Sequence, residues 1–226
     1  MTPPLRPGTF GPSPALVAPA EQPRGTVLLL HGLGADGLAM IKELSLLQGA
    51  GYHAIGLDAP MHGRRYDPDR DRRWAEAREQ TLAELVTTQA AELDAVVDAL
   101  HEQGFAGPYA AVGISLGAYA LWQGLPTAPR IGTVVALLGS PCLPDAPVPD
   151  PDPFIGRRIL AIHAEHDEVV PAEPTEELLA ALAGRGETVR RSVLEGSPHA
   201  VPEPQWWRAW GQTLHWLEGM AACGSH

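Results

Sequence analysis

The stretch Gly113-Ile114-Ser115-Leu116-Gly117 carries the strongest indication of the fold. An apolar run at 109–112 precedes it and a helix-like run at 118–122 follows it, which predicts a strand, a sharp turn and a helix. Glycines at 113 and 117 fit a turn at which the strand and the helix lie so close that side chains would collide. The pattern G-x-S-x-G in this setting is typical of a turn that exposes a nucleophilic serine.

A serine hydroxyl needs a neighbouring base, and the sequence offers a histidine and an acid downstream of this turn. Asp167 lies in the loop after a predicted strand at 157–163, and His199 lies in the loop after a predicted strand at 188–194. The chain order Ser, Asp, His is that of α/β-hydrolases and differs from that of other serine hydrolase folds.

From about residue 15 to residue 220, the chain therefore resembles the α/β-hydrolase superfamily. The resemblance implies that Ser115 is the nucleophile, that His199 is the general base, and that Asp167 orients the histidine. Glu165 is an alternative acid, but residues 163–167 (HAEHD) resemble the family pattern H-G-x-x-D, with alanine in place of glycine, and this favours Asp167.

The resemblance also implies an oxyanion hole. The predicted strand at 26–31 runs into His31-Gly32-Leu33-Gly34, where the family places half of this site. The backbone N–H groups of Leu33 and Leu116 are the expected donors. We expect the glycines at 32 and 34 to allow close approach of the backbone, and His31 to bond within its own turn.

Short apolar runs alternate with helix-like stretches along the chain. Predicted strands lie at 15–18, 26–31, 52–57, 108–114, 131–138, 157–163 and 188–194. Predicted helices lie near 37–49, 73–103, 116–124, 174–184 and 204–222. Strands that are apolar on both faces are typical of a parallel sheet covered by helices on both sides. The sequence thus predicts a three-layer α/β/α hydrolase fold with a mostly parallel, doubly wound sheet.

Residues 1–226 are interpreted as one domain that begins with an irregular, proline-rich arm at 1–14. Asp71 is the expected N-cap of the long helix, and Gly104 is its expected end. The connection between 138 and 157 is too short for a cap domain, and it holds six prolines between 141 and 153. We therefore expect an open cleft that this loop partly roofs. Four tryptophans at helical spacing are expected to pack the last helix onto the sheet: Trp206, Trp207, Trp210 and Trp216.

The segment after the strand at 52–57 is a candidate substrate-binding loop. Its pattern D-x-P-x-H-G, at residues 58–63, is similar to that of small, capless bacterial hydrolases near the dienelactone-hydrolase and prolyl-oligopeptidase-like esterase branches. His62, Arg64 and Arg65 are candidate substrate-binding residues, and either arginine could bind an acidic group of the substrate. The alternative is a tight turn whose arginines are solvated or paired with acidic residues at 67 and 69.

Composition excludes several functions. The net charge of −11 would repel nucleic acid, and no apolar run approaches the roughly 20 residues that cross a membrane. The N-terminal residues do not read as a signal peptide. Cys142 and Cys223 are expected to be free thiols in the cytoplasm, and Cys142 could line the cleft. We expect no cofactor, and no metal on His163, His166 and Asp167; the sequence leaves the oligomeric state open.

These features predict a serine hydrolase that cleaves a small ester through an acyl-enzyme intermediate, with a small acyl compound as its only partner. The same residues would serve a thioesterase, a hydrolase of small peptides or amides, or an acyltransferase. A non-catalytic binding protein of the same fold is disfavoured, because every element of the reaction is present.

Overall fold

The computed structural model describes residues 3–222. The strands are β1 (Arg6–Phe10), β2 (Ser13–Ala18), β3 (Thr26–Leu30), β4 (His53–Leu57), β5 (Tyr109–Ile114), β6 (Ile131–Leu137), β7 (Arg158–His166) and β8 (Val189–Pro198). The helices are α1 (Ile41–Gly49), α2 (Arg70–Glu76), α3 (Arg78–Glu102), α4 (Leu116–Gly124), α5 (Glu173–Ala183) and α6 (Glu203–Glu218). None of these helices is long and apolar enough to span a bilayer.

The eight strands form one sheet in the order β1-β2-β4-β3-β5-β6-β7-β8. Strands β3 to β8 pair in parallel, whereas β2 pairs antiparallel with both β1 and β4. Helices cover both faces of the sheet. The predicted α/β/α fold is therefore confirmed, and no cap domain is inserted in the described connection between β6 and β7.

Alternating side chains of the strands build two apolar cores. In β3, Leu28 and Leu30 face the core shared with α3, α4 and α5, while Val27 and Leu29 face the core shared with α1 and α6. All four side chains are fully buried. A strand buried on both faces reads as an unbroken apolar run, which is why the central strands are legible in the sequence.

The irregular arm predicted for residues 1–14 is wrong where β1 forms. Residues 6–10 pair with β2 from Arg6↔Val17 to Phe10↔Ser13, and Gly11 makes the turn with φ +54°. Pro7 is tolerated because it lies on β1, the edge strand, which pairs on one side only. Phe10, 1% exposed, anchors the hairpin to the core.

The long helix predicted at 73–103 is also wrong, because it is two helices. Ala77, with φ −148° and ψ 58°, breaks the chain between α2 and α3. Alanine is the strongest helix former, so local propensity does not explain the break. The buried Thr81 hydroxyl donates to the Arg73 carbonyl at 3.1 Å and helps to hold the bend. Asp71 is not the N-cap, since Asp69 holds that position without a side-chain bond, whereas α3 does end just before Gly104, with φ +86°.

The tryptophans of α6 have two different roles. Trp210 and Trp216 are buried in the core under the sheet, as expected from their spacing. Trp206 and Trp207 also pack against this core, as expected, but they are only partly buried and line surface clefts as well. Cys223 lies outside the described residues.

Candidate active site

The residues of the candidate site follow the ends of three strands, β5, β7 and β8, at one edge of the sheet. Ser115 follows the end of β5 directly, and Asp167 follows the end of β7. The last pair between β7 and β8 is His166↔Pro198, which makes Asp167 and His199 the next residues along two adjacent strands. Strand pairing thus brings together Asp167 and His199, 32 positions apart in sequence, and His199 reaches Ser115 from the end of β8.

The turn at Ser115 depends on close packing of strand, turn and helix. Ser115 has φ +49° and ψ −109°, a conformation that L residues seldom adopt. A Cβ on Gly113 would lie 2.6 Å from the Ala118 Cα, and a Cβ on Gly117 would lie 2.3 Å from the Leu30 carbonyl oxygen. The predicted steric need for both glycines is confirmed.

A continuous hydrogen-bond chain joins the three predicted side chains. The Ser115 hydroxyl lies 3.0 Å from His199 Nε2, and His199 Nδ1 lies 2.9 and 2.8 Å from the two carboxylate oxygens of Asp167. Because a carboxylate only accepts, the histidine proton lies on Nδ1. Nε2 is then free to accept from the Ser115 hydroxyl, which is the geometry that general-base activation requires.

Other bonds select Asp167 over its neighbours. Asp167 Oδ1 also accepts from the backbone N–H groups of Val169 and Val170, at 2.9 and 2.8 Å, which fixes the carboxylate. The Glu165 carboxylate instead accepts from the Gly196 N–H at 2.7 Å. The structure therefore brings Asp167, and not Glu165, to His199.

The remaining histidines of this region stand apart from the hydrogen-bond chain. His163 is buried within β7, where desolvation lowers its pKa, and the side chain of His166 is 67% exposed. Within residues 3–222, no group of three or more His, Cys, Asp or Glu side chains is arranged to hold a metal ion.

Two backbone N–H groups beside Ser115 are unengaged. Leu116 is the first residue of α4, so its N–H has no acceptor within the helix. The Leu33 N–H has no acceptor among the described residues, and Leu33 and Leu116 line the same cleft as Ser115. Gly34 adopts φ +80°, but a Cβ there would meet no atom within 4 Å. Packing within the protein therefore does not require glycine at position 34, but its positive φ favours glycine there.

A pair of buried histidines holds this turn. His31 donates from Nδ1 to the Gly32 carbonyl at 2.8 Å and accepts the Ala59 N–H at Nε2, at 3.0 Å. His62 donates from Nδ1 to the Pro60 carbonyl at 2.7 Å and accepts the Gly34 N–H at 3.1 Å. Burial lowers the pKa of both rings, so each stays neutral and can accept at Nε2.

These bonds correct the interpretation of His62 as a substrate-binding residue. Its side chain is fully buried and lies outside the cleft wall, because both ring nitrogens are engaged with the backbone. It positions the turn that carries Leu33. The expectation that His31 bonds within its own turn is confirmed.

Arg64 and Arg65 do not reach the cleft, and the proposed substrate contact is wrong for both. Arg64 Nε pairs with Asp58 at 3.1 Å. Arg65 makes a two-pronged pair with Glu92 of α3, with both N···O distances at 2.7 Å. Pairing was an alternative prediction, but its partners are Asp58 and Glu92 instead of the acidic residues at 67 and 69.

Cys142 is likewise absent from the cleft wall. The residue is 9% exposed, and its Sγ lies 3.8 Å from the Ser140 hydroxyl in the loop after β6. Burial under this loop separates the thiol from the open space above Ser115. The interpretation of Cys142 as a substrate-binding residue is therefore wrong.

Ser115 and His199 lie in a cleft of about 740 Å³, which we call the main cleft. Much of its wall is apolar, including Leu82, Ile114 and Leu138, and Pro144 contributes from the proline-rich loop as expected. Burial raises the pKa of Tyr119, on the same wall, to about 12, so this phenol stays protonated.

Sequence reasoning missed the wall formed by α2 and the start of α3. Trp74, Arg78 and Glu79 all line the main cleft, and the Arg78 guanidinium lies over the Trp74 ring at 5.3 Å. The sequence predicted one unbroken helix here and therefore no wall of the cleft. The bend at Ala77 allows α2 to run in a different direction from α3. A tryptophan outside the apolar stripe of the helix is the one signal that pointed to it.

Comparisons with known proteins agree with this architecture. The model of the Alpha/beta hydrolase family matches residues 27–223. No curated protein matches the chain. A dienelactone hydrolase from Anabaena variabilis superposes with a TM-score of 0.76 at 19% identity, covering 97% of this chain and 99% of that one.

Two further crystal structures are similar over nearly their whole length. TT1662 from Thermus thermophilus gives a TM-score of 0.72 at 24% identity, with 95% of this chain and 98% of that chain covered. Esterase PE8 gives 0.68 at 23% identity, with 90% and 97% covered. At these identities the structural likeness shows the fold alone. The match to the family model shows which family the chain belongs to. The chain is an enzyme that belongs to the alpha/beta hydrolase family.

Proposed function

We propose that this enzyme is a serine hydrolase that cleaves small esters through an acyl-enzyme intermediate. The observation that carries the proposal is the hydrogen-bond chain from the Ser115 hydroxyl through His199 to Asp167, at the wall of the main cleft. Catalytic serines need a base within hydrogen-bond distance and a third group that orients the base. We assign these three roles to Ser115, His199 and Asp167.

The reaction follows from these contacts. Ser115 Oγ attacks the ester carbonyl carbon while its proton passes to His199 Nε2. The oxyanion of the tetrahedral intermediate accepts hydrogen bonds from the Leu33 and Leu116 N–H groups. When the C–O bond to the alcohol breaks, His199 returns the proton to the leaving oxygen. Water, deprotonated by His199, then attacks the acyl-enzyme and releases the carboxylic acid and free Ser115.

Asp167 supports both steps by holding the ring of His199. Its carboxylate keeps the proton on Nδ1 and stabilises the imidazolium that forms when Nε2 takes the serine proton. The side chain of Asp167 is 5% exposed, so water screens this interaction weakly.

The cleft favours a small, mainly apolar substrate. Its wall is largely apolar and its volume of about 740 Å³ is within the range of small-molecule sites. The dienelactone hydrolase and esterase among the similar structures support ester cleavage. Thioesters, amides and acyl transfer to an alcohol would use the same groups, and adding acceptor alcohols to the ester assay distinguishes transfer from hydrolysis by its products.

Covalent labelling tests the proposal. A fluorophosphonate probe should label the wild-type enzyme, and labelling should vanish in Ser115→Ala, while hydrolysis of p-nitrophenyl acetate falls about 10⁴-fold or more. Ser45→Ala, an exposed serine on α1, is the matched control and should keep both signals. Labelling that persists in Ser115→Ala at another residue would contradict the assignment.

The roles of His199 and Asp167 are tested by variants of these residues, each with a control variant at an exposed residue nearby. His199→Ala and Asp167→Asn should each lower kcat by about 10⁴-fold. The exposed neighbours provide the controls, since His166→Ala and Glu168→Gln should change kcat less than twofold.

A further inference from the structure

A second cleft adjoins the main cleft on the side of His199. This cleft, the α1–α6 groove, has a volume of about 600 Å³ and lies between the start of α1 and the start of α6. Val201 and Trp206 line both the groove and the main cleft, so the two spaces share a wall. We propose that the α1–α6 groove binds the distal apolar part of the leaving alcohol, an inference that rests on the proposed esterase function.

The position of His199 assigns the groove to the alcohol instead of the acyl group. His199 must return a proton to the leaving oxygen, so the alcohol lies on the side of Ser115 that faces the imidazole. Val201 is two residues beyond His199, and Trp206 lies in the first turn of α6. The acyl group then extends toward the opposite wall, which Leu82 and Tyr119 help to form.

Exposed apolar side chains indicate that the groove binds an apolar group. Leu38 and Ile41, which line it, are 65% and 43% exposed. Among the described residues, six large apolar side chains are exposed, and four of them line one of the two clefts, with Leu33 and Val169 in the main cleft. Apolar surface concentrated at a concave site is typical of ligand binding.

A partly buried hydrogen bond fixes the wall between the two clefts. The Trp206 indole N–H donates to Glu43 Oε1 at 2.8 Å, and its ring packs edge-on against Trp210. Glu43 is 5% exposed, and its second oxygen, Oε2, is buried without a hydrogen-bond partner among the described residues. Burying a carboxylate with an unpaired oxygen is unfavourable for folding. The contact with the indole fits a positioning role in which Glu43 holds Trp206 as the shared wall.

The alcohol-length dependence of hydrolysis tests the groove. Acetate esters of ethanol, butanol, hexanol and octanol vary the leaving group, and p-nitrophenyl esters of increasing acyl length vary the acyl group. For the wild type, kcat/KM should rise with alcohol length by up to about fourfold per CH₂ that enters the groove. Ala39→Trp, which fills the groove without touching the main cleft, should flatten this rise.

The controls separate the groove from the catalytic groups. Ala39→Trp should leave ethyl acetate hydrolysis and the acyl-length series within twofold of the wild type, as should Ala181→Trp, an exposed position on α5 that lines neither cleft. An unchanged alcohol series in Ala39→Trp, or a change in the acyl series instead, would overturn the assignment while the esterase function stands. Failure of the wild type to cleave any of these esters would remove both proposals.

The positioning role of Glu43 has its own pair of variants. Glu43→Met removes the acceptor for the Trp206 indole and should flatten the alcohol series, whereas Glu43→Gln keeps an acceptor oxygen and should restore it. Equal behaviour of the two variants would show that Glu43 serves folding only.

Discussion

Replacing Gly117 with alanine should separate the serine turn from the strand beneath it. The added Cβ would lie 2.3 Å from the Leu30 carbonyl oxygen, 2.5 Å from the Leu30 carbonyl carbon and 2.7 Å from its Cβ. Carbon atoms in contact prefer about 3.5–4.0 Å, so α4 must move by about 1 Å. The clashing atoms belong mainly to the backbone of the central strand β3, which cannot rotate away as a flexible side chain could.

The expected cost follows from this displacement. Overpacking a core costs about 1–3 kcal/mol, and we expect the upper end, because backbone atoms are involved. For a protein of this size, about 3 kcal/mol lowers Tm by about 6–12 °C. A shift of about 1 Å in Ser115 and in the Leu116 N–H should also lower kcat/KM by about 100-fold in the fraction that remains folded.

Urea unfolding and p-nitrophenyl acetate hydrolysis measure the two effects. Gly211→Ala is the matched control, because Gly211 lies inside α6 and a Cβ there would meet no atom within 4 Å. That variant should gain about 0.5–1 kcal/mol from helix propensity and keep its activity. If Gly117→Ala unfolds within 0.5 kcal/mol of the wild type, the steric reasoning is refuted.

Two further predictions concern the buried histidines and the paired arginines. Burial holds the pKa of His62 below the usual value of about 6.5, so below that pH the unfolded chain binds a proton that the folded chain does not. The unfolding free energy should therefore fall as the pH drops from 6.5. His62→Gln should reduce the slope of the unfolding free energy against pH by up to about 1.4 kcal/mol per pH unit, measured in urea titrations from pH 5 to 7.5. An unchanged slope would contradict the assignment. Arg65→Gln should lower the unfolding free energy by about 1–3 kcal/mol, because it removes the charged partner of the largely buried Glu92 and leaves the Ser13 hydroxyl as its donor, yet the ratio of kcat/KM for neutral and carboxylated esters should stay constant. In Arg78→Gln the same ratio should change, because Arg78 lines the main cleft, and a reversed pattern between these two variants would contradict the structure.

Local sequence was sufficient wherever local forces decide the structure. The G-x-S-x-G turn could be recognised in the sequence because steric contact at Gly113 and Gly117 excludes other residues. The inner strands could be recognised because they are buried on both faces. Asp167 and His199 were predicted from the chain order Ser, Asp, His and from their resemblance to the family pattern. The structure brings these two side chains together.

Features that depend on distant partners could not be predicted in this way. The residues around Arg65 do not indicate that its partner is Glu92, which lies 27 positions further along the chain on another element. His62 resembles a ligand-binding histidine in sequence, and only the folded turn supplies the Gly34 N–H that occupies its free nitrogen. The bend at Ala77 runs against the propensity of alanine, and the bond from the Thr81 hydroxyl to the Arg73 carbonyl that helps to hold it has no recognisable pattern in the sequence.

The separation of α2 from α3 has a consequence for how this enzyme could acquire new substrates. Helix α2 buries no side chain, although its Trp74 borders the space above Ser115. Replacements on this short helix can therefore reshape the entrance without opening cavities in either core. Residues at the entrance that influence substrate selectivity are thus separate from the core residues that determine thermal stability. A library of variants confined to residues 70–78 should change substrate choice while most of its members still fold.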